Sequence, residues 1–226
     1  MKFILFISVF IFSNSLLFAQ KKSFSFDFSL NHSFINNKNI NLQNYDFNRP
    51  LSPGLALSGR YNQDLNEKLN LSYGLSYTFV GHYLQIGDIN FFGFGEFQAV
   101  GLPIHLKYRL NDSFNFGMGT EPSYYFTEGT GVLYQYNHLF FEYNSFRAEL
   151  VSEKTLVVPL VLSVEYQFYT AKNTRRSFAL AYKKSFQNIE HVRIKELDIN
   201  GESTSFSSFN FNGTHLALIY TFYFGN

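Results

Sequence analysis

Large apolar residues fall on every second position through most of this chain, and a period of two leaves few folds open. In residues 100–110, VGLPIHLKYRL, the positions Val100, Leu102, Ile104, Leu106, Tyr108 and Leu110 alternate with Gly101, Pro103, His105, Lys107 and Arg109. Successive side chains of a strand point to opposite faces, so this strand has one wholly apolar face and one small or cationic face. The same alternation recurs around 24–30, 55–61, 69–79, 114–120, 156–168, 178–186 and 216–224. That makes eight strands of about ten residues, the length that crosses a bilayer when tilted. No capped amphipathic helix reads between them.

The connections alternate. Those near 62–68, 111–113 and 169–176 are short and polar, and those near 34–50, 81–98, 127–154 and 188–209 are long. Polar positions keep one parity across each short turn: Arg60 with Asn70, Arg109 with Asn115, Glu165 with Ala181. A hairpin holds such residues on one side of the sheet. An even number of alternating strands with short turns at one end and long loops at the other is the pattern of an outer-membrane barrel.

A soluble eight-stranded barrel is the competing architecture, and it reverses the faces. Two features decide against it. The apolar set is too bulky for the inside of eight strands, since 20% of the chain is aromatic, with 29 Phe and 16 Tyr. The opposite set is Gly, Ala, Ser and a few charges, too small and too sparsely charged for a wet strand face; charged residues are only 15% of the chain. The apolar face therefore meets lipid, and the small and charged residues fill the interior. Tyr61, Tyr108, Phe114, Tyr166, Phe168, Phe178, Phe222 and Phe224 fall near the short turns as one aromatic girdle. Tyr77, Phe79, Tyr124, Phe126 and Phe186 form the other, with Tyr serving in the absence of Trp.

The first residues, MKFILFISVFIFSNSLLFAQ, read as a secretory signal peptide over 1–19, leaving 20–226 as the barrel domain. A net charge of +1 gives no electrostatic case for nucleic acid, and the lack of Cys excludes disulfides and thiol chemistry.

The interior set contains Asp27, Arg60, His105, Lys107, Arg109, Glu121, Glu165 and Lys183. Eight strands leave a lumen filled by side chains, so these eight are read as a salt-bridged plug, with Glu165 placed to pair with Lys183 and the cations of residues 105–109 held by Glu121 and other acids. An open ion path is the alternative. A lipid-modifying enzyme would have to draw on Ser33 beside His32, or on His82, His138 and His191 near the long connections; adjacent His and Ser on a strand face opposite ways. The dispersed His residues have no metal-ligand spacing, and GFGEF and GTG lack the helix that a phosphate loop needs. The reading is thus not an enzyme, with no metal and no cofactor. INFFGFGEF (89–97) and VLYQYNHLFFEYNSF (132–146) are aromatic-rich segments that suit either a binding surface or strands prolonged beyond the membrane.

LNLSYGLSYTFVG (69–81), VGLPIHLKYRL and FNFGMGTEPSYYF (114–126) together resemble the PorT-like outer membrane β-barrel family, with Pro103, Lys107, Tyr108 and Gly119 at the matching positions. The resemblance covers about 60 central residues. It implies an eight-stranded outer-membrane barrel, one branch of the family belonging to a protein-secretion apparatus. Such barrels usually end on an aromatic residue, whereas this chain runs two residues past Phe224.

The expectation is an all-β, eight-stranded antiparallel transmembrane barrel with short periplasmic turns and long extracellular loops. It would sit in the outer membrane and play a structural or interaction role, with a small-solute channel or a lipid-modifying enzyme as alternatives. Its expected partners are outer-membrane lipids and lipopolysaccharide, the barrel assembly machinery during biogenesis, and an envelope protein met through the loops.

Overall fold

Fourteen strand segments join edge to edge in one antiparallel sheet that closes on itself. The computed structural model describes residues 22–36, 47–51, 53–86, 90–127, 145–152, 156–187, 190–197 and 203–224. The signal peptide expected over 1–19 lies outside them. The segments are β1 (Lys22–Asn36), β2 (Phe47–Leu51), β3 (Pro53–Asp64), β4 (Leu69–Ile86), β5 (Asn90–Gly101), β6 (Ile104–Arg109) and β7 (Phe114–Thr120). They continue with β8 (Ser123–Thr127), β9 (Ser145–Ser152), β10 (Leu156–Val157), β11 (Leu160–Tyr169), β12 (Arg175–Lys184), β13 (Glu190–Leu197) and β14 (Ser203–Phe224).

These segments make eight staves. β1, β4 and β14 are single; β2–β3, β5–β6, β7–β8, β9–β10–β11 and β12–β13 are interrupted staves, as their shared partners show. β1 pairs with β3 on one side and β14 on the other, which closes the ring; among the described residues β2 and β9, at its far end, each pair on one side only. Three of the interruptions fall at prolines, Pro103, Pro122 and Pro159, which lack the N–H a ladder needs. The register runs through them unchanged: Gly101 faces Ser76 and Ile104 faces Tyr73 on β4. The proline carbonyls still accept, from the Gly74 N–H at 3.1 Å (Pro103) and the Leu102 N–H at 2.9 Å (Pro122).

The short turns are built by local side chains. The Asn66 carboxamide oxygen accepts from the Lys68 and Leu69 N–H groups, and Asn111 does the same for Ser113 and Phe114. In the third turn Asn173 takes a left-handed φ of 57°, a conformation Asn tolerates. Two of these turns are shorter than expected. β3 runs to Asp64 and β12 begins at Arg175, so Arg175 and Arg176 are strand residues.

At the other end much of the long connecting sequence is itself paired strand. β4 and β5 stay paired out to Ile86 and Asn90, with one register shift between His82 and Tyr83, and β14 is 22 residues long, about twice what a bilayer needs. INFFGFGEF thus belongs largely to β5, as strand prolonged past the membrane-spanning part, while most of VLYQYNHLFFEYNSF lies outside the described residues.

The faces divide as the alternation requires. Along β14, Leu218 is 51% exposed and its neighbour Ala217 is 1% exposed. Phe24, Phe26, Phe28 and Leu30 stand outward on β1, while Ser25, Asp27, Ser29 and Asn31 are buried within. On the outside, near the short turns, Phe114, Tyr166, Phe168, Phe178, Tyr220 and Phe222 touch in sequence around four staves, with ring centroids 4.8–6.1 Å apart. An apolar exterior this continuous is far beyond the patch size a soluble surface tolerates, and the aromatic band marks where it meets an interface.

Candidate functional site

The interior is mostly polar, with an apolar patch of Val161, Ala179, Ala181, Ala217 and Ile219 on one side, and at its far end a second apolar cluster stands beside the polar Asn31, Ser33, Thr214 and His215. Each layer follows from which residue the parity of its strand turns inward. Asp27 on β1 and Arg60 on β3 meet with the guanidinium Nε 2.7 Å from the carboxylate, and Ser58 Oγ donates to the same oxygen at 2.9 Å. Arg60 also reaches His105, its Nη1 lying 3.0 Å from Nδ1. Guanidinium only donates, so Nδ1 is the acceptor and is unprotonated in this contact.

Glu165 on β11 is the busiest group. Its Oε2 lies 3.0 Å from Lys107 Nζ and accepts from Asn115 Nδ2 at 3.2 Å; its Oε1 accepts from Ser177 Oγ at 2.6 Å and from the Tyr223 hydroxyl. Lys107 also donates to Tyr223 at 3.3 Å. Higher in the barrel, Glu121 pairs with Lys183 at 2.5 Å and accepts from Ser76 Oγ at 2.7 Å. Gly101 is required here: a Cβ on it would come within 2.6 Å of Ser76 Oγ and 3.0 Å of the Glu121 carboxylate. Beyond this level Val80, Ala99, Tyr125, Val157 and Phe211 form a buried apolar cluster.

All eight predicted interior residues face the lumen side, but they do not pair as the sequence suggested. Glu165 does not hold Lys183. In the β11–β12 register Lys183 stands opposite Val161, four residues from Glu165, a separation of roughly 13 Å along the stave. Glu165 instead takes Lys107 from two staves away. Gly117, the register partner of both Lys107 and Ser163, has no side chain to block the crossing. Nor do lumen acids hold the whole 105–109 set. His105 contacts Arg60, and Arg109 sits at the rim, 3.8 Å from Asp64 and half exposed, with Nη1 donating to the Glu67 carbonyl.

Tyr223, His215, Arg175 and Asp64 also belong to this interior or its mouth and were not foreseen. Continuing the parity of the last strand would have turned Tyr223 and His215 inward, because Leu216, Leu218 and Phe224 face out. His215 bonds the Gly213 carbonyl through Nδ1 at 2.9 Å. It stands opposite Ser33 in register, and His215 Nε2 and Ser33 Oγ are both buried without a partner. His32 faces outward against Phe34, so the adjacent His and Ser are indeed split between faces. His82 and His191 lie on strand backbone whose side chains are outside the described set, as is all of His138. Among the described residues no three His, Asp or Glu side chains converge as a metal site.

The architecture is thus a closed eight-stave antiparallel barrel with an apolar exterior and an ion-paired interior, the fold of outer-membrane β-barrels. Comparison with solved structures agrees. The chain is similar to the outer membrane protein OprG from Pseudomonas aeruginosa, with a TM-score of 0.50 at 8% identity over 91% of this chain and 97% of that one. Weaker likenesses are a major outer membrane protein from Thermus thermophilus (TM-score 0.42, 16% identity, 89% and 99% covered) and the Yersinia pestis outer membrane protein Ail (0.30, 12%, 89% and 100%). No family model matches the chain, the PorT-like one included, and no curated protein is similar to it.

Proposed function

We propose that this protein is an outer-membrane barrel with a shut lumen, serving as a structural or interaction element rather than as a channel or an enzyme. The observation that carries this is the crossing pair of bridges, Lys107–Glu165 and Lys183–Glu121, which span the interior from different staves beneath the apolar cluster of Val80, Ala99, Tyr125, Val157 and Phe211. Ions crossing there would have to separate buried pairs and then pass beside that apolar cluster, both costly steps. The apolar exterior is matched to outer-membrane lipids and lipopolysaccharide. Staves prolonged past the bilayer offer an envelope protein a rigid docking end, and assembly would run through the barrel insertion machinery. The Pro103, Lys107, Tyr108 and Gly119 pattern supports a PorT-like accessory of an envelope or secretion complex. Planar-bilayer recording of the refolded protein tests the shut lumen: no stable conductance steps are expected, and reproducible open channels from the wild type would refute it.

A further inference from the structure

At the short-turn end the plug opens into a small recess lined by Lys68, Leu69, Asn70, Lys107, Arg109, Asn115 and Arg175. Four of these residues are cationic, and only two have a carboxylate partner among the described residues. Lys107 has Glu165 and Arg109 has Asp64, whose second role is to accept from Asn70 Nδ2 at 3.0 Å. Lys68 stands on the exposed turn without one. Arg175 is half-buried, stacked over the Tyr223 ring at 4.2 Å, and its Nε donates to the neutral Gln167 at 3.1 Å. That bond uses the Gln167 oxygen and leaves its Nε2, a buried donor, with no acceptor. The mouth therefore holds two cations, the exposed Lys68 and the half-buried Arg175, with no carboxylate partner among the described residues, on a frame fixed by the ion pairs beneath. A half-buried guanidinium with no carboxylate on it, as Arg175 is, presents donors that suit an oxyanion from outside the chain.

We propose that this mouth is an anion site, taking a phosphate group between Lys68, Arg109 and Arg175, whether from free phosphate in the periplasm or from an inner-leaflet lipid headgroup. The guanidinium of Arg175 presents paired donors suited to such an oxyanion, and Lys68 adds a mobile point charge from the turn. The site is independent of whether the lumen conducts.

The test is calorimetric titration of inorganic phosphate into the full barrel refolded in an uncharged maltoside micelle, with a parallel arm in nanodiscs of phosphatidylcholine with and without phosphatidylglycerol. Saturable phosphate binding is expected, weakened about tenfold or more in Arg175→Gln, the loss of one charge-assisted bond, and less in Lys68→Gln. If phosphate does not saturate but phosphatidylglycerol is enriched around the wild type and not around the two variants, the site takes a headgroup. Lys68 lies on an exposed turn, so its variant separates a binding defect from a folding one, and retention of the heat-dependent gel shift checks both. No saturable binding in either arm, or binding that neither variant changes, would overturn the proposal.

Discussion

Glu165→Gln is the substitution that tests the interior most directly. The carboxylate is the common acceptor for Lys107, Asn115, Ser177 and Tyr223, donors from four staves. Four charge-assisted bonds at about 1.5–3 kcal/mol each would sum to more than any single change delivers, because the donors re-pair. Lys107 is already within 3.3 Å of Tyr223 and keeps that contact. What cannot be recovered is the counter-charge, and removing one member of a buried pair costs about 3–5 kcal/mol. We expect a loss in that range, read by urea unfolding from phosphocholine vesicles. Far-UV circular dichroism and the gel shift should serve as probes, since the chain has no Trp for fluorescence. The double variant Lys107→Met/Glu165→Leu should recover most of the loss, since it leaves no charge unpaired. A single variant within about 1 kcal/mol of wild type, or a double variant no better than the single, would refute the idea that the pair holds the staves together.

Two further substitutions probe the faces and the rim. Leu218→Arg places a cation on the outward apolar face of β14 and should cost about 2–4 kcal/mol in the same unfolding assay; a neutral result would mean that this face does not meet lipid. Asp64→Asn breaks the Arg109 contact at 3.8 Å between partly exposed groups and should cost under about 1 kcal/mol, so a loss as large as that of Glu165→Gln would contradict the division between rim and plug.

The alternation in the sequence reaches the structure almost unaltered because it is a local property. A strand's side chains must alternate, and a closed ring of staves makes the inward set of one stave adjoin the inward set of the next. Arg109 and Asn115, matched by parity alone, are direct partners. The same reasoning overestimated the turns and connections, since strand length depends on a neighbour being there to pair. Arg175 and Arg176 look like turn residues in "AKNTRR" and become strand because β11 pairs with both and β14 with Arg176. His215 and Tyr223 were legible in principle, because the parity of the last strand already turned them inward.

Pairing across the lumen was not legible, for a geometric reason. The sequence tells which residues enter the barrel, but the height of each depends on register, and register depends on how all the staves meet. Placed by turn proximity, Glu165 faces Lys183; placed by register, it is too far along the stave to reach it, and the bare backbone of Gly117 lets Lys107 cross instead. By itself the sequence determined the barrel, its inverted faces and most of the membership of its interior, since each rests on the two-residue period of a strand. The partners of each charge, the apolar cluster above them and the cationic mouth below were decided only by the closed tertiary structure, because only closure brings distant staves to one height within reach of a single side chain.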